Sequence, residues 1–328
     1  MTPANTPEDT SWDASDCART ELAPDADWPF VVCLTHDIDR LNHLLPTFAR
    51  LRSDPSVRRL RRLLGDQAPY WQIETVRDIE RSLGVRSSFY VLNEKDLFAD
   101  KGPSHWLQPK SWSLYSYYDI QRPAVRAAIE ALAASDWEVG LQGSYESADD
   151  RFRLAYENSV LREITGTPIR GGRQHYLNGT FPETWAHHRA IGLTYDTTLG
   201  SATEYGFQYG PDILHPFGDE FAVFPLTMMD QAVMGSTDSV AAAKRAVDRT
   251  LRTARAEGAV VTVDWHQRTF DPLDFPGYRE VYVYLVEQAL SMGAWVGPTA
   301  EAYDLLVEGD AGRAVAGDAT VPVDNRVR

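Results

Sequence analysis

Thr35-His36-Asp37-Ile38-Asp39 sets two carboxylates and an imidazole on one short stretch of chain. The stretch follows an apolar run, Phe30-Val31-Val32-Cys33-Leu34, which reads as a fully buried strand. Carboxylates are costly inside such a strand, but at its tip they stay wet or hold a cation. Three later predicted strands end in the same way. They lead into Gln142-Gly143-Ser144-Tyr145-Glu146, Arg173-Gln174-His175-Tyr176 and Trp265-His266-Gln267. Asp and His are good ligands for Zn²⁺ and related ions, and a catalytic site keeps an open position for water or substrate. The ion lowers the pKa of bound water and polarises a carbonyl. A nearby carboxylate then takes the water's proton, and a histidine protonates the leaving amine. This donor set suits metal-assisted hydrolysis of an amide or ester. The sequence has no G-x-S-x-G elbow, which speaks against an acyl-serine mechanism.

Alternating strands and helices must position these residues. The apolar pattern predicts strands at 30–35, 87–92, 137–141, 168–173, 193–196, 221–226, 259–264 and 294–297. Helices are expected near 71–83, 122–134, 149–164, 182–190, 238–256, 277–291 and 299–307, with Pro123 and Pro182 suited to first turns. Such alternation implies parallel βαβ units and an α/β class fold, an irregular (β/α) barrel of about seven or eight units spanning 28–307. A doubly wound sheet is the competing architecture, but no Gly-rich phosphate loop follows a strand. Residues 1–27 and 308–328 lack periodicity and are expected to be disordered tails. Two insertions lie on the site face. The first, 40–70, carries Arg50, Arg52, Arg58, Arg59, Arg61 and Arg62 and reads as a solvated amphipathic helix or an anion-attracting surface. The second, 101–121, carries Trp106, Trp112, Tyr115, Tyr117 and Tyr118, aromatic faces that suit either sugar rings or a barrel cap.

The chain of 328 residues has a formal charge of −15, which argues against nucleic acid as a partner. It holds 4 Lys against 28 Arg and 29 Asp against 18 Glu, a balance that keeps a surface hydrated in high salt and points to a halophilic source. Cys17, in the expected tail, and Cys33, in a core strand, are not expected to pair. No apolar stretch reaches the length of a membrane span, and the first residues lack a basic and apolar leader, so a cytoplasmic location is expected.

In their order along the chain these residues resemble the polysaccharide deacetylases, the NodB-homology proteins of carbohydrate esterase family 4. The resemblance rests on Thr35-His36-Asp37-Ile38-Asp39, Gly140-Leu141-Gln142-Gly143-Ser144-Tyr145, Arg173-Gln174-His175-Tyr176-Leu177, Tyr195-Asp196, Gly206-Phe207, Pro225-Leu226 and Trp265-His266. It covers about residues 30–305 and is nearest to a branch whose first motif reads His-Asp-Val-Asp. It implies an irregular (β/α) barrel that binds one divalent metal, zinc by resemblance, and removes acetyl groups from sugars by hydrolysis. It also implies that Asp37 is the catalytic base, His266 the general acid and Arg173 the residue that orients the base. Asp39 and His175 would be metal ligands, with Gln142 in the place of a third. His36, Tyr145 and Trp265 would contact the carbohydrate. Two departures stand out: Gln142 and Glu146 occupy positions where the wider family has metal histidines, and Gln208 stands where the branch has an arginine. An amide oxygen is a weak zinc ligand, although Glu146 could add an oxygen. The site therefore holds a harder, oxygen-preferring metal or has lost metal and turnover. In the second case the barrel binds carbohydrate or a partner without catalysis.

Overall fold

A computed structural model describes residues 12–41, 70–97, 101–108, 111, 118–309 and 312–315. Its sheet has twelve strands: β1 (Ala18–Leu22), β2 (Val31–Ile38), β3 (Ser88–Leu92), β4 (Glu138–Gly143), β5 (Gly171–Gln174), β6 (Tyr195–Asp196), β7 (Ile213–His215), β8 (Ala222–Val223), β9 (Leu226–Met229), β10 (Val260–Asp264), β11 (Trp295–Gly297) and β12 (Gly312–Val315). The order β8-β6-β5-β4-β3-β2-β10-β9 is parallel throughout, and β11 joins β2. This is the curled, barrel-like α/β sheet expected from the alternation. Among the described residues no pairing joins β9 back to the far edge, so the barrel is open there.

β2 is buried at every position. Val32 and Leu34 enter the larger core under the helices, whereas Val31 and Cys33 enter a second core with Tyr90 and Tyr195. A strand covered on both faces needs a continuous apolar run, and 30–34 supplies one. The helices Ile73–Leu83, Pro123–Ala133, Arg151–Thr165, Glu183–Ala190, Val240–Glu257 and Tyr278–Ser291 fall where the periodicity places them. Pro123 opens its helix in the first turn, where its missing N–H costs nothing. Gly172 lets β5 approach β4: a Cβ there would meet the carbonyl oxygen of Leu141 at 1.8 Å.

The expectation of disordered tails fails for part of each segment. β1 pairs antiparallel with β12 and with β7, so residues 18–22 and 312–315 extend the sheet. Cys17 is buried beside Trp185 and Leu214 rather than lying in a tail, and both cysteines are free. These strands are short, and β1 and β12 mix polar with apolar residues, so no long apolar run marks them. Trp106 ends a short helix, Pro103–Trp106, and Tyr118 is buried, its hydroxyl accepting from the Leu92 N–H at 3.0 Å. The arginine segment 50–62 and Trp112, Tyr115 and Tyr117 lie outside the described residues. No helix among the described residues is long and apolar enough to cross a membrane.

Candidate active site

The strand register assembles the site. β2 and β10 run parallel with Thr35 opposite Asp264, so Asp37 and His266 emerge side by side two residues further on. On the other side Asp37 pairs with Tyr90 of β3, and Gln142 of β4 lies opposite Arg173 of β5. Six buried groups converge: Asp37, Asp39, Gln142, Arg173, Asp264 and His266.

Asp37, Asp39, Arg173 and His266 each have a close polar partner. Arg173 Nη1 donates to Asp37 Oδ1 at 2.8 Å and to Thr35 Oγ1 at 3.0 Å, lies 3.4 Å from Asp264 Oδ1, and Nε donates to the Thr197 carbonyl at 3.1 Å. Its guanidinium sits over the Tyr90 ring, 5.2 Å from the centroid. Asp230 accepts from both the backbone N–H and the Nδ1 of His266, each at 3.0 Å. Asp39 accepts from Gln142 Nε2 at 2.7 Å through Oδ1 and from the Arg268 guanidinium through Oδ2. Gln142 Nε2 also reaches Asp37 Oδ2 at 3.2 Å.

These surroundings set the protonation states. Burial pushes the Asp37 carboxyl up to about 7; Arg173 opposes this, while Asp264 reinforces it. Burial also resists ionising Asp39, but Arg268, His266 and His175 outweigh it and hold that carboxyl well below the usual range. Burial disfavours the charged form of His266, yet Asp230 and Asp264 overcome it and push the imidazole up to about 10. At neutral pH the site therefore pairs a carboxyl close to its midpoint with a protonated imidazole.

The sequence brought Asp37, Asp39, Gln142, Arg173, His175 and His266 to one place, and the structure does the same. His175 Nε2 lies 3.8 Å from Asp39 Oδ1. Three expectations need correction. His36 is not at the ligand face: it is fully buried, with Nδ1 on the Trp265 carbonyl at 2.5 Å and Nε2 on Glu80 Oε1 at 2.8 Å. Trp265 is likewise buried, its ring among Tyr278 and Tyr282. Side chains alternate along a strand, and these two fall on the core-facing side. Glu146 forms ion pairs with Lys101 at 2.7 Å and Lys95 at 3.7 Å instead of joining the aspartates. Tyr145 stays near the site, edge-on to Tyr176. Tyr176 is 50% exposed and holds a left-handed backbone (φ 62°) directly after His175. A non-glycine residue in that region stores strain, which is typical of functional positions.

Asp230, Asp264 and Arg268 were missed. All three lie at or just beyond the ends of β9 and β10, so charge at a strand end was the available signal.

Among the described residues Asp37, Asp264 and His266 bring ligand atoms within 4.8 Å of one another, a group that could hold a metal ion. The set expected from the sequence, Asp39, His175 and Gln142, does not fit one. Both Asp39 oxygens are already accepting hydrogen bonds, and Gln142 turns its amide nitrogen, not its oxygen, toward them. The Gln142 oxygen is buried without a hydrogen-bond partner.

No protein-family profile and no curated protein matches the sequence. Among solved structures, a proposed polysaccharide deacetylase from Mycobacterium smegmatis superposes with a TM-score of 0.55 at 15% identity, over 87% of this chain and 92% of that one. The fold is that of the polysaccharide deacetylases. More distant matches with this fold include a family 4 acetyl xylan esterase from Clostridium thermocellum bound to cobalt (TM-score 0.41, 14% identity, 84% of this chain and 91% of that one). A CE4-family pseudoenzyme from Bacillus anthracis also matches (TM-score 0.43, 13% identity, 86% and 67%). In this polysaccharide-deacetylase fold the cluster lies at the carboxyl ends of the parallel strands, where sites of (β/α) barrels form.

Proposed function

We propose that the protein is a hydrolase that cleaves the C–N bond of an acetylated amino sugar or glycan, releasing acetate. The supporting observation is that Asp37 and His266 emerge from adjacent parallel strands, each locked by its own counter-ion, Arg173 and Asp230. Arg173 fixes the Asp37 carboxylate and leaves Oδ2 turned toward Gln142. Asp37 takes a proton from water as the oxygen attacks the acyl carbon. The tetrahedral adduct collapses, the C–N bond breaks, and His266 Nε2 gives its proton to the departing amine. Asp230, on Nδ1, keeps the ring in the protonated and oriented form. Tyr145 and Tyr176 offer aromatic surface beside the site that suits a sugar ring.

A second reading is favoured by the engagement of Asp39 with Arg268 and Gln142: a barrel that binds carbohydrate without turnover. Acetate release from acetylated amino-sugar oligomers separates the two. The hydrolase reading expects release by the wild type and a fall of at least about 100-fold in Asp37→Asn, the usual contribution of a general base. Saturable sugar binding with no acetate would establish the second reading instead.

A further inference from the structure

We propose that the Arg268 guanidinium takes the place of a divalent ion at Asp39, so that the site works with a built-in cation and no resident metal. The inference rests on the reading of this cluster as a ligand site, and it identifies the group that would face the ligand's acyl oxygen.

Three observations carry it. First, both Asp39 oxygens are already engaged by fixed donors: Oδ1 accepts from Gln142 Nε2 at 2.7 Å and Oδ2 from Arg268. Metal sites need several donors with free lone pairs converging on one point. Gln142 offers N–H groups there, and turning its amide over would strip a hydrogen bond from both Asp37 and Asp39. Second, the cations are already distributed. Arg173 Nη1 lies between Asp37 and Asp264, Arg268 holds Asp39, and His266 sits on Asp230. Two guanidinium groups thus stand against Asp37, Asp264 and Asp39, and an added ion would have to sit beside an arginine in a buried site, where like charges repel strongly. Third, Arg268 has donors to spare. Among the described residues Asp39 is the only hydrogen-bond partner of its side chain, bonded through Nη1 alone, and 12% of the side chain meets solvent. A guanidinium carries five N–H donors in a fixed fork. The unused ones can meet a carbonyl oxygen and the negative charge that grows on it, as an oxyanion hole does.

The test is metal content. Wild-type protein is incubated with excess zinc, desalted and subjected to elemental analysis, alongside the Gln142→His/Arg268→Ala double variant. The expected result is a wild type that retains essentially no zinc and a double variant that retains at least about tenfold more, the size of change that altered metal shells produce. EDTA leaves wild-type sugar binding and any acetate release unchanged, whereas Arg268→Ala weakens both and Arg268→Lys restores them in part. About one zinc per wild-type chain after desalting, or loss of function with EDTA, overturns the proposal. A folded double variant that takes up no more zinc than the wild type also overturns it, because Arg268 and Gln142 would not be what excludes the ion. If the double variant does not fold, the wild-type measurement decides alone. A wild type without zinc and without acetate release keeps this inference and refutes the hydrolase; zinc together with acetate release does the reverse.

Discussion

Replacing Arg173 with Met removes the guanidinium that holds the Asp37 carboxylate. The side chain is fully buried and has four partners: Asp37 at 2.8 Å, Thr35 at 3.0 Å, the Thr197 carbonyl at 3.1 Å and Asp264 at 3.4 Å. Met fills much of the volume, so the cost is electrostatic rather than a cavity. Two carboxylates lose their nearest cation and a buried carbonyl loses its donor. Breaking a buried ion pair by removing one partner costs about 3–5 kcal/mol, and we expect about 4 kcal/mol here. The variant has an escape that fixes the pH dependence. Burial already holds the Asp37 carboxyl up at about 7, and without Arg173 it rises further. A folded-state carboxyl above its unfolded value stabilises the fold below the unfolded pKa and loses that contribution as pH rises through the folded one. The gap between wild type and variant should therefore be smaller near pH 6 and widen toward pH 8. Urea unfolding followed by tryptophan fluorescence at both pH values measures it. The Asp37→Asn/Arg173→Met double variant, which removes a stranded charge, should recover about half the loss. A single-variant loss below about 1 kcal/mol, the value of an exposed pair, refutes the reasoning. So does a double variant as unstable as the single one.

Other consequences follow from the same contacts. His36→Phe should cost about 2–3 kcal/mol of stability, because the Trp265 carbonyl and Glu80 lose a buried partner; sugar affinity should be unchanged, and weakened binding in a fully folded variant would return His36 to the ligand face. Both carboxylate oxygens of Asp264 are buried without a hydrogen-bond partner in a site with surplus negative charge, so Asp264→Asn should raise the melting temperature by a few degrees, worth about 1 kcal/mol; a lower melting temperature contradicts this. Burial lowers the pKa of His215, which links β7 to β1 through Thr20 Oγ1 at 2.9 Å. A histidine with a depressed folded pKa contributes stability above the unfolded value, and that stability is lost as pH falls below about 6.5. Stability measured between pH 7 and 5 should show this loss in the wild type and not in His215→Gln.

The central strands were legible because burial on both faces demands continuous apolar runs, as in 30–34 and 260–263. The charged residues that follow them betrayed the site, since charge is affordable only at a strand tip. β1, β7 and β12 were not legible. They are short, and their pairing joins distant parts of the chain, for which Arg19 opposite Val315 leaves no local pattern. Within the site, sequence spacing brought Asp37, Asp39, Arg173 and His266 together. It could not show that His36 turns to the core, because that depends on which face of β2 meets Glu80 and Tyr282. Nor could it show Arg268 closing on Asp39, a contact between residues 229 positions apart that strand pairing alone creates.

The most direct measurement is acetate release from N-acetylated amino-sugar oligomers by the wild type in EDTA, with Asp37→Asn as control. Acetate released in chelator by the wild type and lost in the variant is the result predicted. No acetate under any condition, or acetate only after zinc is added, would contradict the account.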